Sequence, residues 1–176
     1  MRKISIIIDT REQTPWHFPS FLASVSRGTL RTGDYALAGD EFYAIERKSL
    51  DDFAATISSG WERFKRELDR MDLMDAKTII VEASINDIIN HDYNHPKVWP
   101  AFVLAQIAEL SLGNASVLLC DNPITAAGMC YTILKLRAEN NAKNQSESGE
   151  NSIPESGKPL DDIIDRQGNM QGSSVT

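Results

Sequence analysis

The stretch YAIERKSLDDF, from Tyr43 to Phe53, begins with the pattern of a buried strand and ends with that of a helix. Its apolar start is followed at once by Glu46, Arg47 and Lys48, and then by Ser49, a suitable helix N-cap. Side chains alternate between the two faces of a strand, so Glu46 and Lys48 share one face while Arg47 points to the other. The stretch therefore predicts a carboxylate beside a lysine where a strand passes into a helix.

A predicted hairpin places a second carboxylate opposite Glu46. The segments Thr29–Leu37 and Phe42–Lys48 have strand patterns, and they flank the turn-forming sequence AGDE. If the loop is centred on Asp40, position 34 pairs with position 46. Asp34 then faces Glu46 across the hairpin, with the two Cβ atoms about 5 Å apart.

Two carboxylates this close repel each other unless a cation lies between them. Mg²⁺ binds through one or two carboxylates together with substrate phosphate oxygens, and Lys48 lies on the same strand face as Glu46. Asp34, Glu46 and Lys48 therefore suit metal-assisted hydrolysis of a phosphodiester. The spacing Asp-x(n)-Glu-x-Lys is common, however, and taken alone it favours a solvated strand end.

Three motifs occur together in this chain: DTRE at Asp9–Glu12, TGDY at Thr32–Tyr35, and ERKSLDD from position 46. The combination resembles the XPF-like family of structure-selective DNA endonucleases, whose signature is GD, a spacer and ERK-x-x-x-D on a restriction-endonuclease-like fold. The resemblance extends from about Ile4 to Glu139. The residues that match the signature are Gly33, Asp34, Glu46, Arg47, Lys48 and Asp52, with Asp9 and Glu12 upstream.

The resemblance implies a divalent-metal nuclease that uses Mg²⁺ or Mn²⁺. Asp34 and Glu46 match the metal ligands, and the backbone carbonyl of Arg47 is a further candidate ligand. Lys48 matches the catalytic lysine. The implied substrate is branched or flap DNA, or DNA with a junction between single and double strands, cut during repair, recombination or replication.

The resemblance also implies supporting residues around this centre. Asp9 and Glu12 match carboxylates that support the metal or its waters, and they count among the catalytic candidates, with Arg11 between them. The Arg47 side chain is expected to be structural and to pair with Asp9, Glu12 or Asp52. Asp52 lies in the first turn of a predicted helix, where a carboxylate interacts favourably with the helix dipole, so we expect it to be structural rather than catalytic.

Arginines recur on one face of a predicted helix. Arg63, Arg66 and Arg70 are spaced to contact the phosphates that supply most non-specific DNA affinity. The alternative is a solvated face, because Glu62 with Arg66 and Arg63 with Glu67 form i,i+4 pairs. The two interpretations are evenly balanced.

Other polar and aromatic residues have two interpretations each. Trp16 and His17 are placed either to stack on a splayed base or to pack under their loop, and packing is favoured. Glu82 either joins the site or ends a strand in solvent. The run HDYNH, residues 91–95, resembles a metal-binding run, but it lacks an evident third ligand and is better explained as a polar loop.

Strand and helix patterns alternate along the chain, which predicts an α/β domain with a central mixed sheet flanked by helices. We expect a nuclease domain at residues 1–139 and a polar, acidic, disordered tail at residues 140–176. Besides the hairpin, the predicted strands are Ile4–Ile8, Thr78–Val81 and Val117–Cys120. The predicted helices are Leu50–Ser59, Trp61–Met74, Ile85–Asn90, Val98–Leu112 and Thr125–Glu139.

Composition leaves the DNA partner open. The net charge is −7, but residues 138–176 alone carry seven acidic and three basic residues. The sequence has no apolar run of about 18 residues and no signal-peptide pattern. Its two cysteines lack metal-ligand spacing. We therefore expect no membrane partner and a cytoplasmic protein, associated with the nucleoid if it is bacterial or viral.

The larger family members carry a helicase domain before the nuclease domain and a helix-hairpin-helix module after it, which help to select branched DNA, and neither is expected here. The family often dimerises through the nuclease domain, and Val98–Leu112 is apolar enough to lend a homodimer face, although burial in the core would also explain its apolar character. The alternatives are a non-catalytic DNA-binding or scaffold subunit, and a junction-resolving, recombination or restriction-like nuclease on the same fold. A two-carboxylate glycosidase fits poorly, because Lys48 and the carboxylates lie so close together.

Overall fold

Strands and helices alternate along residues 3–70, 76–113 and 115–150, which are the residues that the computed structural model describes. The strands are β1 (Ile4–Asp9), β2 (Ala23–Gly28), β3 (Tyr35–Leu37), β4 (Tyr43–Ser49), β5 (Ala76–Glu82) and β6 (Ala115–Leu119). The helices are α1 (Leu50–Ile57), α2 (Trp61–Arg70), α3 (Ile85–Ile89), α4 (Pro100–Leu112) and α5 (Pro123–Glu150). Residues up to Asn141 form one compact unit, which contains the whole sheet.

The strands form one mixed sheet in the order β2-β1-β3-β4-β5-β6. Only β3 runs antiparallel to its two neighbours, β1 and β4, while the other pairings are parallel. As a result, the carboxyl ends of β1, β4 and β5 and the amino end of β3 meet at one edge of the sheet. This edge collects the DTRE, GD and ERK motifs, which lie far apart in sequence.

The two faces of the sheet are covered by different layers. One face packs α5 and the aromatic residues of the loop after β1 against buried residues of β1, β3 and β4. The other face packs α1 to α4 against Ile79 and Val81 of β5. Tyr43 and Ile45 of β4 belong to the layer that contains α5, so alternation places Arg47 on their face and Glu46 and Lys48 on the other.

Local capping explains where the helices begin. Ser49 ends β4 and caps α1, since its hydroxyl oxygen accepts from the backbone N–H of Asp52 at 3.1 Å. Ser84 and Asp87 form a reciprocal capping box at the start of α3. Pro100 occupies the first position of α4, where its missing N–H costs nothing.

A charged contact fastens α5 to the turn between β3 and β4. The Arg137 guanidinium donates to both carboxylate oxygens of Asp40, at 2.7 and 3.2 Å, and lies over the ring of Tyr43. Asp40, which centres the hairpin, is thereby held against the helix that covers the sheet. This contact steadies the turn on which the β3–β4 register depends.

The predicted α/β class with a mixed, helix-flanked sheet is confirmed, while several bounds differ. The strand expected from Thr29 begins only at Tyr35, and β2 was not predicted, because its polar, exposed residues lack a buried-strand pattern. Helix α4 begins at Pro100 rather than Val98, and α5 passes Glu139 and continues to Glu150. Residues 140–150, which were expected to belong to the disordered tail, instead continue α5. Residues 71–74 of the predicted second helix and residues 151–176 of the predicted tail lie outside the described residues.

Membrane-spanning helices are not found in the described part of the chain, since none of its helices combines the length and the apolar character needed to cross a bilayer.

Candidate active site

Asp34 lies at the centre of the edge where the motifs meet. The β3–β4 register pairs Tyr35 with Ile45, so position 34 lies opposite position 46, as the hairpin predicted. The backbone of Asp34 continues the sheet in both directions: its N–H donates to the carbonyl of Ile45 at 2.9 Å, and its carbonyl accepts from the N–H of Asp9 at 2.8 Å. The Asp34 carboxylate also accepts from the backbone N–H of Arg47 at 2.8 Å.

Gly33 makes this approach possible. Its φ of +74° lies in the left-handed region, which side chains disfavour. A Cβ at this position would lie 2.8 Å from the Cβ of Ala44 on the neighbouring strand. The glycine of the GD motif is therefore required by backbone conformation and by space, and it brings Asp34 onto β4.

The Asp34 carboxyl has an unusual environment. Burial raises its pKa most, the nearby negative charge of Glu46 raises it further, and together they bring the pKa to about 7. The hydrogen bond from Arg47 and the charge of Lys48 lower the pKa, but these effects are weaker. The negative charge of Glu46 thus makes ionisation of the Asp34 carboxyl less favourable.

Lys48 and Glu46 share one face of β4, as alternation predicted. The Lys48 Nζ donates to the Glu46 carboxylate at 3.0 Å, and both side chains are largely buried. The same ammonium lies 5.4 Å from the centre of the Phe64 ring, within cation–π range. Helix α2 therefore closes this side of the site and holds the lysine beside the carboxylate.

Arg47 points to the opposite face and binds a second pair of carboxylates. Its Nε donates to Glu82 at 2.8 Å and its Nη2 donates to the other oxygen of Glu82 at 3.3 Å. Its Nη1 donates to Glu12 at 3.4 Å and to the carbonyl oxygen of Thr14. Of the three partners considered from the sequence, Arg47 therefore takes Glu12, while its strongest partner is Glu82.

These contacts change the ionisation of Arg47 in a predictable direction. Partial burial lowers its pKa, but the hydrogen bonds from its guanidinium to Glu82 and the charges of Glu82 and Glu12 outweigh burial and raise the pKa. The guanidinium is thus a fixed positive charge at this edge of the sheet. Its role in the described structure is to join the loop after β1 to the end of β5.

Trp16 packs under its loop, in agreement with the favoured interpretation. Its ring stacks on Tyr35, with 4.5 Å between ring centres, and its backbone N–H donates to the Tyr35 hydroxyl at 2.9 Å. The indole N–H donates to Glu82, and the Arg47 guanidinium lies 5.5 Å from the indole centre. Glu82 is therefore a largely buried acceptor for two side chains and not a solvated strand end.

Asp9 is fully buried at the end of β1, and its carboxylate oxygens have several donors. Arg11 donates to it through its backbone N–H and twice through its guanidinium, and the backbone N–H of Leu30 donates at 2.7 Å. The Arg11 guanidinium bonds outweigh burial and lower the pKa of Asp9 to about 2. Asp9 thus holds the loops after β1 and β2 together, and its part in catalysis stays a prediction.

Glu12 lies beside this loop with its side chain largely buried. It accepts from the backbone N–H of Thr14 at 2.7 Å in addition to Arg47. Its own backbone carbonyl accepts from the Arg27 guanidinium at 2.6 Å. Glu12 is therefore oriented by three donors, and its negative charge is one of those that raise the pKa of Asp34.

The remaining predicted residues lie around this centre. Asp52 accepts from the Ser49 hydroxyl at 2.8 Å in the first turn of α1, which agrees with a structural role. Arg63 lines the same polar hollow as Lys48, and Arg66 is exposed on α2. The side chain of Arg70 lies outside the described part of the structure.

No group of three histidine, cysteine, aspartate or glutamate side chains converges to hold a metal ion within the residues that the structure describes. The HDYNH run forms a loop in which His91 stacks on Tyr93 and its ring nitrogen lies 3.1 Å from the carbonyl oxygen of His95. This agrees with the polar-loop interpretation. Any metal at the Asp34 edge would rely on a pair of carboxylates rather than on a protein cage.

Comparison with known proteins agrees with this geometry. Residues 8–133 match the family model described as the ERCC4 domain. The fold is similar to that of XPF from Aeropyrum pernix, with a TM-score of 0.58 and 23% sequence identity over 89% of this chain and 68% of that one. The comparison with curated proteins gave no match.

The family match covers most of the chain, so the protein belongs to the ERCC4 domain family. It therefore carries an XPF-like nuclease domain of the kind found in DNA repair endonucleases, and the structural similarity shows that the fold is that of the XPF nuclease. Some members of this family are non-catalytic, so the match does not by itself assign catalytic residues.

The contacts of Glu82 generate a prediction about stability. Glu82→Ala leaves the largely buried Arg47 guanidinium and the Trp16 N–H without their main acceptor. We expect the free energy of unfolding to fall by about 3 kcal/mol, as for other broken buried pairs. Urea denaturation measures this change.

A matched control removes an acidic partner at the surface. Glu139→Ala breaks the i,i+4 contact with Lys135, 3.8 Å long and half exposed, and is expected to cost less than about 0.5 kcal/mol. Equal losses for the two variants, or none for Glu82→Ala, would show that the Arg47 network does not stabilise the fold.

Proposed function

We propose that the protein is a divalent-metal-dependent DNA endonuclease that hydrolyses phosphodiester bonds. One observation carries the proposal: Asp34 and Glu46 come from paired strands at one sheet edge, near enough for the charge of Glu46 to raise the pKa of Asp34, and the Lys48 ammonium lies 3.0 Å from the Glu46 carboxylate. Family membership supports the reaction class, and the position of all three residues in the GD and ERK motifs supports their assignment.

The donor set at this edge fits Mg²⁺ or Mn²⁺. Oxygen ligands from two carboxylates suit these hard cations, which also keep waters and take substrate phosphate oxygens. The pKa of Asp34 is raised by burial and by Glu46, and a cation between the two groups would remove that conflict. The backbone carbonyl of Arg47 is the proposed additional ligand.

Each residue then has a defined role. A divalent cation at Asp34 and Glu46 supplies Lewis-acid stabilisation of the charge that develops on the phosphate and makes water easier to deprotonate. The Lys48 ammonium, fixed by Glu46 and Phe64, orients the attacking water and stabilises developing negative charge. Asp9 and Glu12 support the site from the loop after β1.

The proposed substrate is branched or flap DNA, or DNA with a junction between single and double strands. Arg63, Arg66 and Arg70 are the proposed phosphate contacts, and Arg63 is the one placed beside Lys48. We also propose a cytoplasmic location, where the free thiols of Cys120 and Cys130 would stay reduced. Junction-resolving or restriction-like cutting is a competing activity that a substrate panel separates.

Cleavage assays test the reaction and its residues. Asp34→Asn, Glu46→Gln and Lys48→Ala are each expected to lower the cleavage rate at least about 100-fold, because each removes a group that acts on the transition state. Matched flap, fork, four-way and linear duplex DNA with Mg²⁺ or Mn²⁺ form the panel. Glu41→Gln, an exposed carboxylate on the hairpin turn, is the control and keeps full activity.

Two results of the same assays would contradict the proposal. If wild type and Asp34→Asn are equally inert on every substrate with both metals, the chain is a non-catalytic DNA-binding or scaffold subunit. If both are equally active, the reaction occurs elsewhere and the proposed site is wrong.

We further propose that the protein forms a homodimer through α4. This helix is apolar on more than its buried side: Phe102 and Leu104 remain partly exposed, and Leu112 is 91% exposed at its end. Trp99 just before the helix is 67% exposed. Several exposed apolar side chains on and beside one helix make it the candidate interaction surface.

Sedimentation equilibrium tests the dimer. Phe102→Asp is expected to shift wild-type dimer to monomer, because it places a charge at the centre of the proposed interface. Phe21→Asp changes another exposed aromatic residue, in the loop before β2, and serves as the control that stays dimeric. A monomeric wild type, or a dimer unaffected by Phe102→Asp, would contradict the proposal.

A further inference from the structure

Two hollows of opposite character lie on either side of the carboxyl end of β4. The apolar hollow, of about 520 Å³, lies between the loop Thr14–Leu22 and the first turns of α5. The polar hollow, of about 480 Å³, lies between the end of β4 and helices α1 and α2. Arg47 lines both of them, so the two hollows border the same residue.

Apolar side chains of the loop and of α5 line the apolar hollow. Trp16 and Phe18 form its base from the loop, where both are almost fully buried by packing on Tyr35. Tyr131 and Gly128 contribute from α5. The loop and the helix thus form two fixed walls of a slot whose volume falls in the usual range for small-molecule sites.

Cationic and hydroxyl side chains line the polar hollow. Lys48 and Arg63 supply positive charges, Thr56 and Ser59 add hydroxyl groups, and Asp52 is the one carboxylate among the described residues of the lining. This chemistry suits a phosphate, which takes hydrogen bonds from lysine, arginine and hydroxyl groups. The polar hollow adjoins the proposed catalytic residues, since Lys48 belongs to both.

A nucleotide combines the same two chemistries, since its sugar joins an anionic phosphate to a flat base. We propose that the apolar hollow binds an unpaired nucleobase of DNA, while the phosphate of the same strand occupies the polar hollow across Arg47. A base in a duplex is stacked and paired and cannot enter a slot between a loop and a helix. The inference rests on the proposed function and adds to it the feature that the enzyme reads, which is an unstacked base beside the cut.

The adjoining phosphate site favours a base over other occupants. An apolar peptide or a second copy of the chain would use the apolar hollow but would have no need of the cationic one. An apolar slot tolerates any base, since every base has a flat face. The pair of hollows therefore fits recognition of DNA structure rather than of DNA sequence.

Gly128 allows a sharp test, because it lines the apolar hollow and a Cβ added there meets no atom within 4 Å. Gly128→Phe adds a ring at the helix wall of the hollow without a clash at the backbone, so that the ring competes with a base for the space. Gly128→Ala keeps the hollow open and shows the effect of removing a helix glycine. Met129→Phe adds an aromatic ring at the next position, which does not line the hollow.

Binding is measured by fluorescence anisotropy with fork DNA, in EDTA and again in Ca²⁺. One strand of the fork carries a single abasic site. The site is placed in turn at three positions on the unpaired side of the junction and at three on the paired side. Wild type is expected to lose about tenfold in affinity at one of these positions, the size of one base stack. Gly128→Phe is expected to lose about tenfold on intact DNA and to be insensitive to the abasic site, while Gly128→Ala and Met129→Phe behave like wild type.

Each outcome decides between the proposals. Wild-type binding that no abasic position weakens, or Gly128→Phe that binds and senses the missing base like wild type, overturns the base site and leaves the nuclease proposal intact. A change in sedimentation mass for Gly128→Phe alone would assign the hollow to a contact between copies and also overturn it. Wild type that binds no DNA in either buffer overturns the nuclease proposal and this inference together.

Discussion

The pairing of β3 with β4 is the constraint on which the rest of the structure depends. Tyr35 opposite Ile45 places Asp34 opposite Glu46, and the left-handed Gly33 lets the chain come close enough for the Asp34 carboxylate to accept from the backbone N–H of Arg47. A slip of one residue would turn every side chain of the strand to the other face. The register therefore brings two carboxylates to this edge, and burial, together with the charge of Glu46, raises the pKa of Asp34 there.

Side chains of β4 alternate between the two faces of the sheet, and the two sets make different contacts. Glu46 and Lys48 face α2, where the ammonium lies between the carboxylate and the Phe64 ring. Arg47 faces the other way and joins the end of β5 to the loop after β1 through Glu82 and Glu12. The end of β4 is therefore fixed on both faces, by α2 against Lys48 and by the Arg47 network against Glu82 and Glu12.

Much of this arrangement is predictable from the sequence, for identifiable reasons. The hairpin register follows from counting outward from Asp40, and alternation along β4 follows from strand geometry. The partnership of Arg47 with Glu82 was missed because it depends on β5 lying parallel to β4, which no local pattern encodes. The only sequence signal was a glutamate at the end of an apolar strand. Strand β2 was missed because it pairs on one side only and its residues are mostly polar and exposed.

The central claim is that Asp34 and Glu46 together hold one divalent cation beside Lys48. Isothermal titration of Mn²⁺ into the metal-free protein, without DNA, tests it most directly. We expect one bound ion per chain for wild type, loss of that binding in Asp34→Asn, and unchanged binding in Glu41→Gln. Full binding by Asp34→Asn, or a wild type that binds no Mn²⁺, would contradict the claim.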